Sequence, residues 1–433
     1  MKHLLSPLLF LAVFVIAQSE QSLSAQLDFE DEPINYLDAV SSDPVAKLQK
    51  RIDSGQFKLS YDEQHGYLPA VLDALGIPRS SQMLVFSQTS FQLRKISRHR
   101  PRAVYFGDNI YIGWVQGGDV VEVSAVDPEL GAVFYTLDQD KNKKVKFLRD
   151  RGQCLTCHAS SRTQGVPGQL VRSVFPDEGG RPMLGSGTFT TDHTSPFSER
   201  WGGWFVTGQH GNMRHMGNVY VTDKLDSQNI NREKGANVKK LDRLVDTTPY
   251  LVPTSDLVAL MVMEHQSQMH NFITLAHMET RMARHYDSIM NKALDRAVDF
   301  QSESTKRRIK AVSDKLVKYM LFSEEFPLKS PVKGASSFTQ DFMQVGPRDS
   351  QQRSLRDFDL KHRLFKYPCS YLIYSEPFQT LPEPVMKQVM QSLNEILTAQ
   401  TPPEGFTHLS PKDRKNIREI LIDTLPQLTT NWN

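Results

Sequence analysis

The chain has 433 residues, of which 39% are hydrophobic and 23% charged, and its mean hydropathy is −0.42. These values are typical of a soluble globular protein and exclude a chain built from membrane spans. Lys and Arg number 51 and Asp and Glu 49, so the net charge of +2 is too small to indicate a nucleic-acid partner. Three cysteines are too few for a disulfide-stapled scaffold, and their odd number excludes complete pairing within one chain.

The N-terminus has the pattern of a signal peptide. A basic start, Met1 to His3, is followed by an apolar run that ends at Ala17. This run is shorter than the roughly 20 residues that a transmembrane helix needs, and no stop-transfer pattern follows it. We therefore expect a signal peptide at 1–25, cleaved near Ala17 or Ala25, and an exported, periplasmic protein without a transmembrane span after signal removal. An uncleaved anchor is the alternative.

The length of the mature chain predicts two lobes. About 400 residues remain after the signal, which is more than one hydrophobic core usually accommodates. We expect a β-rich lobe at 26–250 and a mainly helical lobe at 251–433. The predicted fold class is α+β, with an antiparallel strand meander, then an irregular region rich in aromatic residues and glycine, then a helical C-terminal part.

The meander is predicted from four short runs of β-branched and aromatic residues. The runs cover 103–106, 110–115, 120–126 and 132–137. The gaps between them are short and contain Gly, Asp and Asn, and turn-sized gaps between short strands are typical of antiparallel hairpins. Ahead of the meander, Asp, Pro and Gly breaks in residues 27–80 predict a few small helices and loops.

The C-terminal part has the pattern of long helices. No Gly or Pro occurs from 254 to 326, which predicts a helical region capped by Thr254 or Ser255 and interrupted near Ser302. Two more helices are predicted at 383–399 and 411–423, each introduced by proline or serine.

A C-x-x-C-H sequence, Cys154 to His158, follows the meander. Two thiols on one turn can form thioethers with the vinyl groups at one edge of a haem, and the adjacent histidine can bind the iron from one face. The motif therefore predicts one covalent haem c, held by Cys154 and Cys157, with His158 as an iron ligand. The predicted export agrees, because c-type attachment takes place outside the cytoplasm.

Two other kinds of site use paired cysteines. A thioredoxin-like redox pair would need a βαβ context, whereas this pair follows a strand meander and precedes a loop with Ser, Gly and Pro. A zinc site would need a second ligand pair at a suitable spacing, and the one remaining cysteine, Cys369, is far along the chain. Cys369 lies in an apolar, tyrosine-rich run, and we expect it to be buried.

The tract from Thr191 to Asn218 combines tryptophans, glycines, histidines and methionines. Such a tract suits a haem pocket and could provide a sixth iron ligand, although its aromatic residues are equally typical of an ordinary core. We expect Met216 as that ligand, with its neighbour His215 as the alternative. Further candidates are Met183, His210 and Met213 and, on the long helix, His265 and Met269.

Six segments of the chain carry a resemblance to known proteins: Cys154–His158, Arg162–Pro167, Val171–Pro176, Arg200–Trp204, His215–Asn218 and Tyr367–Ser375. They resemble segments of bacterial proteins described as cytochrome c domain-containing. The resemblance covers most of the mature chain and implies haem binding and electron transfer, with no established substrate. Within it, only Cys154, Cys157 and His158 match a pattern whose role is known. A small all-helical cytochrome c needs only about 100 residues, so the larger α+β chain departs from that pattern.

These observations predict an exported monohaem c-type cytochrome that passes single electrons to or from a redox partner protein. One alternative is a peroxidase-like haem enzyme with an open sixth position, in which His210, Arg214 or His215 acts on a small oxidant. Another is a haem-bearing binding or sensor subunit. A methionine as sixth ligand favours electron transfer, whereas an open position favours binding or catalysis.

Overall fold

The computed structural model describes residues 28–432 of the chain. The predicted signal peptide at 1–25 lies outside the described residues. Between 28 and 432, no helix is both long enough and apolar enough to cross a membrane. The described part has the mixed α+β class that the sequence predicts.

The secondary structure follows the predicted order, with strands first and long helices after them. The strands are β1 Met83–Val85, β2 Arg102–Gly107, β3 Ile110–Trp114, β4 Val120–Asp127, β5 Gly131–Asp138, β6 Phe147–Arg149, β7 Val171–Val174, β8 Thr188–Thr191, β9 Gly208–Gln209 and β10 Lys333–Gly334. The α-helices are α1 Pro44–Asp53, α2 Leu68–Ala74, α3 Leu155–His158, α4 Leu257–Ala293, α5 Glu303–Met320, α6 Phe338–Met343, α7 Glu376–Gln379, α8 Glu383–Thr398 and α9 Pro411–Thr424.

The predicted meander is confirmed. β1 to β6 form one six-stranded antiparallel sheet in chain order. β4 and β5 pair over their full lengths, from Val120 opposite Asp138 to Asp127 opposite Gly131. Gly131 closes this hairpin with a φ of +70°, a left-handed conformation that glycine adopts without steric cost.

The sheet has two different faces, because side chains alternate along each strand. Val121 and Val123 point to one face and are buried in the main core. The register places Ser124 opposite Phe134, so both point to the other face together with Glu122. This second face carries polar groups. It packs against the C-x-x-C-H turn, where the Phe134 and His158 rings lie 4.8 Å apart.

Helix α4 begins later than the sequence predicts. Its N-cap is Asp256, whose carboxylate accepts from the second and third backbone N–H groups of the helix. The predicted cap, Thr254 or Ser255, is wrong. The Ser255 hydroxyl instead donates to the Phe205 carbonyl at 2.6 Å. Because it is engaged in this tertiary contact, it does not cap the helix.

The predicted break in the helical region is confirmed. α4 ends at Ala293, and α5 begins after Ser302, whose side chain accepts from the Thr305 N–H as an N-cap. The two C-terminal helices are also confirmed, as α8 and α9, and each ends within one residue of its predicted end.

The core consists of one large hydrophobic cluster and one small one. The large cluster contains residues from both sides of position 250, and α4 packs on the sheet as well as on α5. The Gln266 side chain, for example, donates to the Gly107 carbonyl at 2.8 Å. The division into lobes at 26–250 and 251–433 stays a prediction. The small cluster contains Phe175, Met216, Val219, Val221 and Ile230.

Candidate functional site

The C-x-x-C-H sequence forms the single helical turn α3, shortly after the last strand of the sheet. The backbone N–H groups of Cys157 and His158 both donate to the Cys154 carbonyl, at 3.2 and 3.0 Å. The Asp150 carboxylate accepts from the Cys154 N–H at 3.0 Å and so fixes the start of the turn. Both thiols are free, with Cys154 partly buried and Cys157 exposed. One turn therefore presents two accessible thiols.

The His158 ring is held in a defined orientation. Its Nδ1–H donates to the Gly168 carbonyl at 2.9 Å, and the Gly168 N–H donates back to the His158 carbonyl at 2.8 Å. Among residues 28–432, no hydrogen bond to the other ring nitrogen, Nε2, is formed. Burial lowers the pKa of His158. The imidazole is therefore neutral at pH 7, and the Nε2 lone pair is available to a ligand.

An ion pair on the sheet lies next to the motif. Arg102 and Glu122 approach to 2.6 Å. A Cβ at position 113 would collide with the Arg102 guanidinium, so Gly113 lets this side chain lie across β3. Burial, followed by the charge of Asp150, raises the pKa of Cys154 to about 12. This thiol is therefore protonated at neutral pH.

Two arginines, Arg162 and Arg172, follow the turn, and neither forms an ion pair within residues 28–432. Burial, followed by the charge of Arg162, lowers the pKa of Arg172, and the nearby Cys157 thiol opposes this shift. The Arg172 Nε donates to the Thr188 hydroxyl at 3.0 Å. Arg172 is therefore close enough to both Arg162 and Cys157 to feel their charges, and guanidinium groups of this kind favour carboxylate partners.

The structure does not bring Met216 or His215 into contact with the motif. Met216 is fully buried in the small cluster, and its sulfur lies 3.7 Å from the Ser173 hydroxyl. The His215 Nδ1 accepts from the Gly217 N–H at 3.0 Å, and its ring packs edge-on to Trp201. The Nε2 of His215 is buried and has no partner in the described part of the chain. Their role as sixth ligand stays a prediction.

The other candidates around the aromatic tract are engaged elsewhere. Both ring nitrogens of His210 are used: Nδ1 donates to the Met213 carbonyl at 2.8 Å, and Nε2 accepts from the Asn237 N–H at 2.9 Å. Arg214 pairs with Glu233 at the surface. Met183 packs against the small cluster, whereas Met213 and Met269 belong to the main core.

A buried polar group on α4 was missed by the sequence reasoning. Glu264 pairs with Arg200 at 3.0 Å, and both side chains are almost completely buried. The Nδ1 atoms of His265 and His193 are 2.8 Å apart, and the His265 Nε2 lies 2.8 Å from the Ser370 hydroxyl. The signal was the polar run 264–268 inside a helix rich in Met and Leu. Such a run normally indicates a solvated face.

The pKa shifts in this polar group all follow from burial. Burial raises the pKa of Glu264 to about 7, although the charge of Arg200 opposes the shift. Burial lowers the pKa of His193 to about 3 and holds that of His265 well below its ordinary value. These histidines are therefore neutral in the folded protein, and they hydrogen-bond to each other and to Ser370 rather than to solvent.

A small cavity of about 160 Å³ lies between the segment after the motif and α4. Its walls include Arg162 and Gln164 from the turn after the motif, Thr191 from the end of β8 and Ser267 from α4. None of Cys154, Cys157 and His158 lines it. In the part of the chain that the structure describes, no three or more His, Cys, Asp or Glu side chains converge as metal ligands.

The comparisons with family models, with curated proteins and with solved structures find no match for this chain. Its function is therefore inferred from the geometry of its own residues.

Proposed function

We propose that the protein is an exported, periplasmic c-type haem protein that transfers single electrons to or from a partner protein. Cys154 and Cys157 would be the attachment points and His158 the axial ligand. One observation carries the proposal: the Nδ1–H of His158 is tied to the Gly168 carbonyl at 2.9 Å, while Nε2 has no partner within 28–432. Metal-binding histidines typically donate the second ring N–H to a carbonyl or carboxylate in this way.

The residues present fit a haem c. Both thiols are free, they lie on one turn, and the neighbouring imidazole is neutral. The bound haem supplies one-electron chemistry at its iron. The chain's own part is to hold the imidazole in one orientation and to shield one of its faces with Phe134.

The surroundings of the thiols disfavour a redox-active disulfide. The attacking cysteine of such a pair has a lowered pKa, whereas burial raises the pKa of Cys154 to about 12. A structural zinc site is also disfavoured, because a zinc ion needs four ligands around one point, and no such group forms among residues 28–432.

The surroundings of His210 and Arg214 do not suit these two residues to peroxidase-like chemistry, whereas His215 keeps an Nε2 that has no partner among residues 28–432. An acid–base residue in an open haem site needs a free nitrogen or guanidinium near the iron. Both nitrogens of His210 are engaged, and Arg214 is paired with Glu233 at the surface.

The proposal is tested by intact-mass measurement after expression with a c-type maturation system. We expect the chain to carry the mass of one haem that acidified organic solvent does not remove. The variant with Cys154→Ala and Cys157→Ala should lack this mass, whereas Cys369→Ala is the matched control and should keep it. An unmodified wild-type chain, or a haem that leaves into the solvent, would refute the proposal.

A further inference from the structure

We infer that Asn271 on helix α4 is a positioning residue for His158, acting through the Gly168–Gln169 peptide group. This inference rests on the proposed function for its redox readout, but not for its geometry. Asn271 lies more than 100 positions after the motif in the chain, and its side chain is completely buried. It forms no direct contact with His158, so its effect would pass through the loop that follows the motif.

The Asn271 side chain clamps Gln169 from both sides. Its Oδ1 accepts from the Gln169 N–H at 2.8 Å, and its Nδ2 donates to the Gln169 carbonyl at 2.8 Å. The same Nδ2 donates to the Gln268 side-chain oxygen at 2.7 Å. Three hydrogen bonds therefore hold the Asn271 side-chain amide in a single orientation. Because Asn271 lies on a rigid 37-residue helix, it can hold the loop that contains Gln169 in a fixed position.

Asn271 and His158 bind opposite ends of one peptide group. The Gly168 carbonyl, which accepts from the His158 Nδ1–H, and the Gln169 N–H, which donates to Asn271, belong to the same planar amide. Holding the N–H therefore also sets the direction of the carbonyl. Hydrogen bonds in such a chain polarise each other, so the bond to Asn271 strengthens the carbonyl as an acceptor for His158.

The close packing at Gly168 supports the same link. A Cβ at this position would collide with the Asn271 side-chain oxygen and would lie 3.0 Å from the Thr163 Cβ. The backbone of the loop can approach α4 this closely only because residue 168 has no side chain. The Gln169 side chain also donates to the Ser124 hydroxyl, so the loop is held by the sheet as well as by the helix.

The test compares Asn271→Leu with Asn291→Leu. Asn291 is also buried on α4, and its Nδ2 donates to the Phe300 carbonyl at 2.8 Å, so it holds a different loop in the same manner. We expect Asn271→Leu to keep the covalent haem, to make the reduction potential more positive and to change the haem methyl proton shifts, because a weaker Nδ1 bond leaves the imidazole a poorer donor. Asn291→Leu should lose stability without either change.

One further variant and one NMR measurement test this inference separately from the proposed function. Asn271→Asp keeps an oxygen acceptor for the Gln169 N–H but loses both hydrogen bonds donated by Nδ2, and its reduction potential should be less positive than that of Asn271→Leu. In the haem-free full-length protein, nitrogen NMR should show His158 with its proton on Nδ1, and Asn271→Leu should give a mixture of the two tautomers. A wild-type Nε2–H tautomer, or an Asn271→Leu variant with unchanged potential and methyl shifts, would overturn the inference. A wild type without covalent haem would instead refute the proposed function.

Discussion

Two histidine sites in this protein differ in what surrounds their ring nitrogens. His158 stands on a partly exposed turn, with one nitrogen bound to a backbone carbonyl and the other unpartnered among the described residues. His265 is completely buried, and its two nitrogens contact His193 and Ser370. A free lone pair on an oriented ring is the requirement for binding a metal, whereas two engaged nitrogens make a ring part of the core. The two environments thus separate a candidate ligand from a structural residue.

The largest expected effect is loss of stability in acid, which would come from the buried side of this comparison. The pKa values of His193 and His270 in the folded protein are about 3, and that of His277 is about 4. The unfolded chain takes up these protons near pH 6.5, so it binds more protons than the folded protein between about pH 6.5 and 3. The stability that these histidines contribute is present above pH 6.5 and is lost as the pH falls.

We therefore expect the free energy of unfolding in urea to decrease from pH 7 to pH 4. Glu264 and Glu325 have the opposite sign, because burial raises the pKa of each to about 7 and makes the folded protein bind the extra protons between about pH 4.5 and 7. Three imidazoles outweigh these two carboxyls. His193→Gln should make the decrease less steep, and a free energy that is constant over this pH range would contradict the assignment of neutral buried histidines.

The next largest effect should come from breaking the buried Arg200 and Glu264 pair. Arg200→Leu leaves the Glu264 carboxyl without its partner and removes the hydrogen bond to the His193 carbonyl. Loss of one partner from a buried pair costs about 3–5 kcal/mol of unfolding free energy. Arg214→Leu, which breaks a surface pair with Glu233, is the control and should have little effect. Equal losses in the two variants would mean that burial of the pair is unimportant.

Met216→Ala tests both a packing role and the predicted sixth ligand. Met216 is completely buried, so its truncation should cost about 2–5 kcal/mol. The ligand prediction adds a second result: the ferric protein should lose the weak charge-transfer band near the red end of the visible spectrum, and His215→Ala should keep it. A band that survives Met216→Ala and disappears in His215→Ala would assign the position to the histidine.

The variants His158→Ala and His265→Ala test directly whether the two histidines have different roles. His265→Ala removes the partner of the His193 Nδ1 and one of the partners of the Ser370 hydroxyl, which still accepts from the Leu372 N–H, and should cost about 1–3 kcal/mol, with an unchanged haem spectrum. His158→Ala should change the spectrum, because the axial nitrogen is lost, and should reduce stability less. Measuring both properties on both variants decides the matter, since a spectral change confined to His265→Ala would reverse the two roles.

The smallest effect is expected at Cys369. The thiol is completely buried, as the sequence predicts, and burial raises its pKa to about 12. A protonated, inaccessible thiol behaves as a small apolar group, so Cys369→Ala should cost about 1 kcal/mol in unfolding free energy. Its haem content and spectrum should equal those of the wild type. Loss of haem at unchanged folding would show that this thiol takes part in attachment.

Local sequence patterns predicted much of the fold. The strands of the meander and helices α8 and α9 agree with the structure because alternation, turn residues and caps act over only a few residues. The cap of α4 was predicted wrongly, because the Ser255 hydroxyl contacts Phe205, about 50 positions earlier in the chain. The burial of the run 264–268 was also missed, since its partners, Arg200 and His193, come from a distant part of the chain.

The sequence by itself determined the chemical content of the candidate site. Cys154, Cys157 and His158 lie within five consecutive residues, so the bonds of a single turn suffice to bring them together. Only the tertiary structure decided which nitrogen of His158 is available, because that depends on the Gly168 carbonyl and, through it, on Asn271. Side-chain partners this distant along the chain are selected by the packing of α4 against the sheet, and no local pattern encodes that packing.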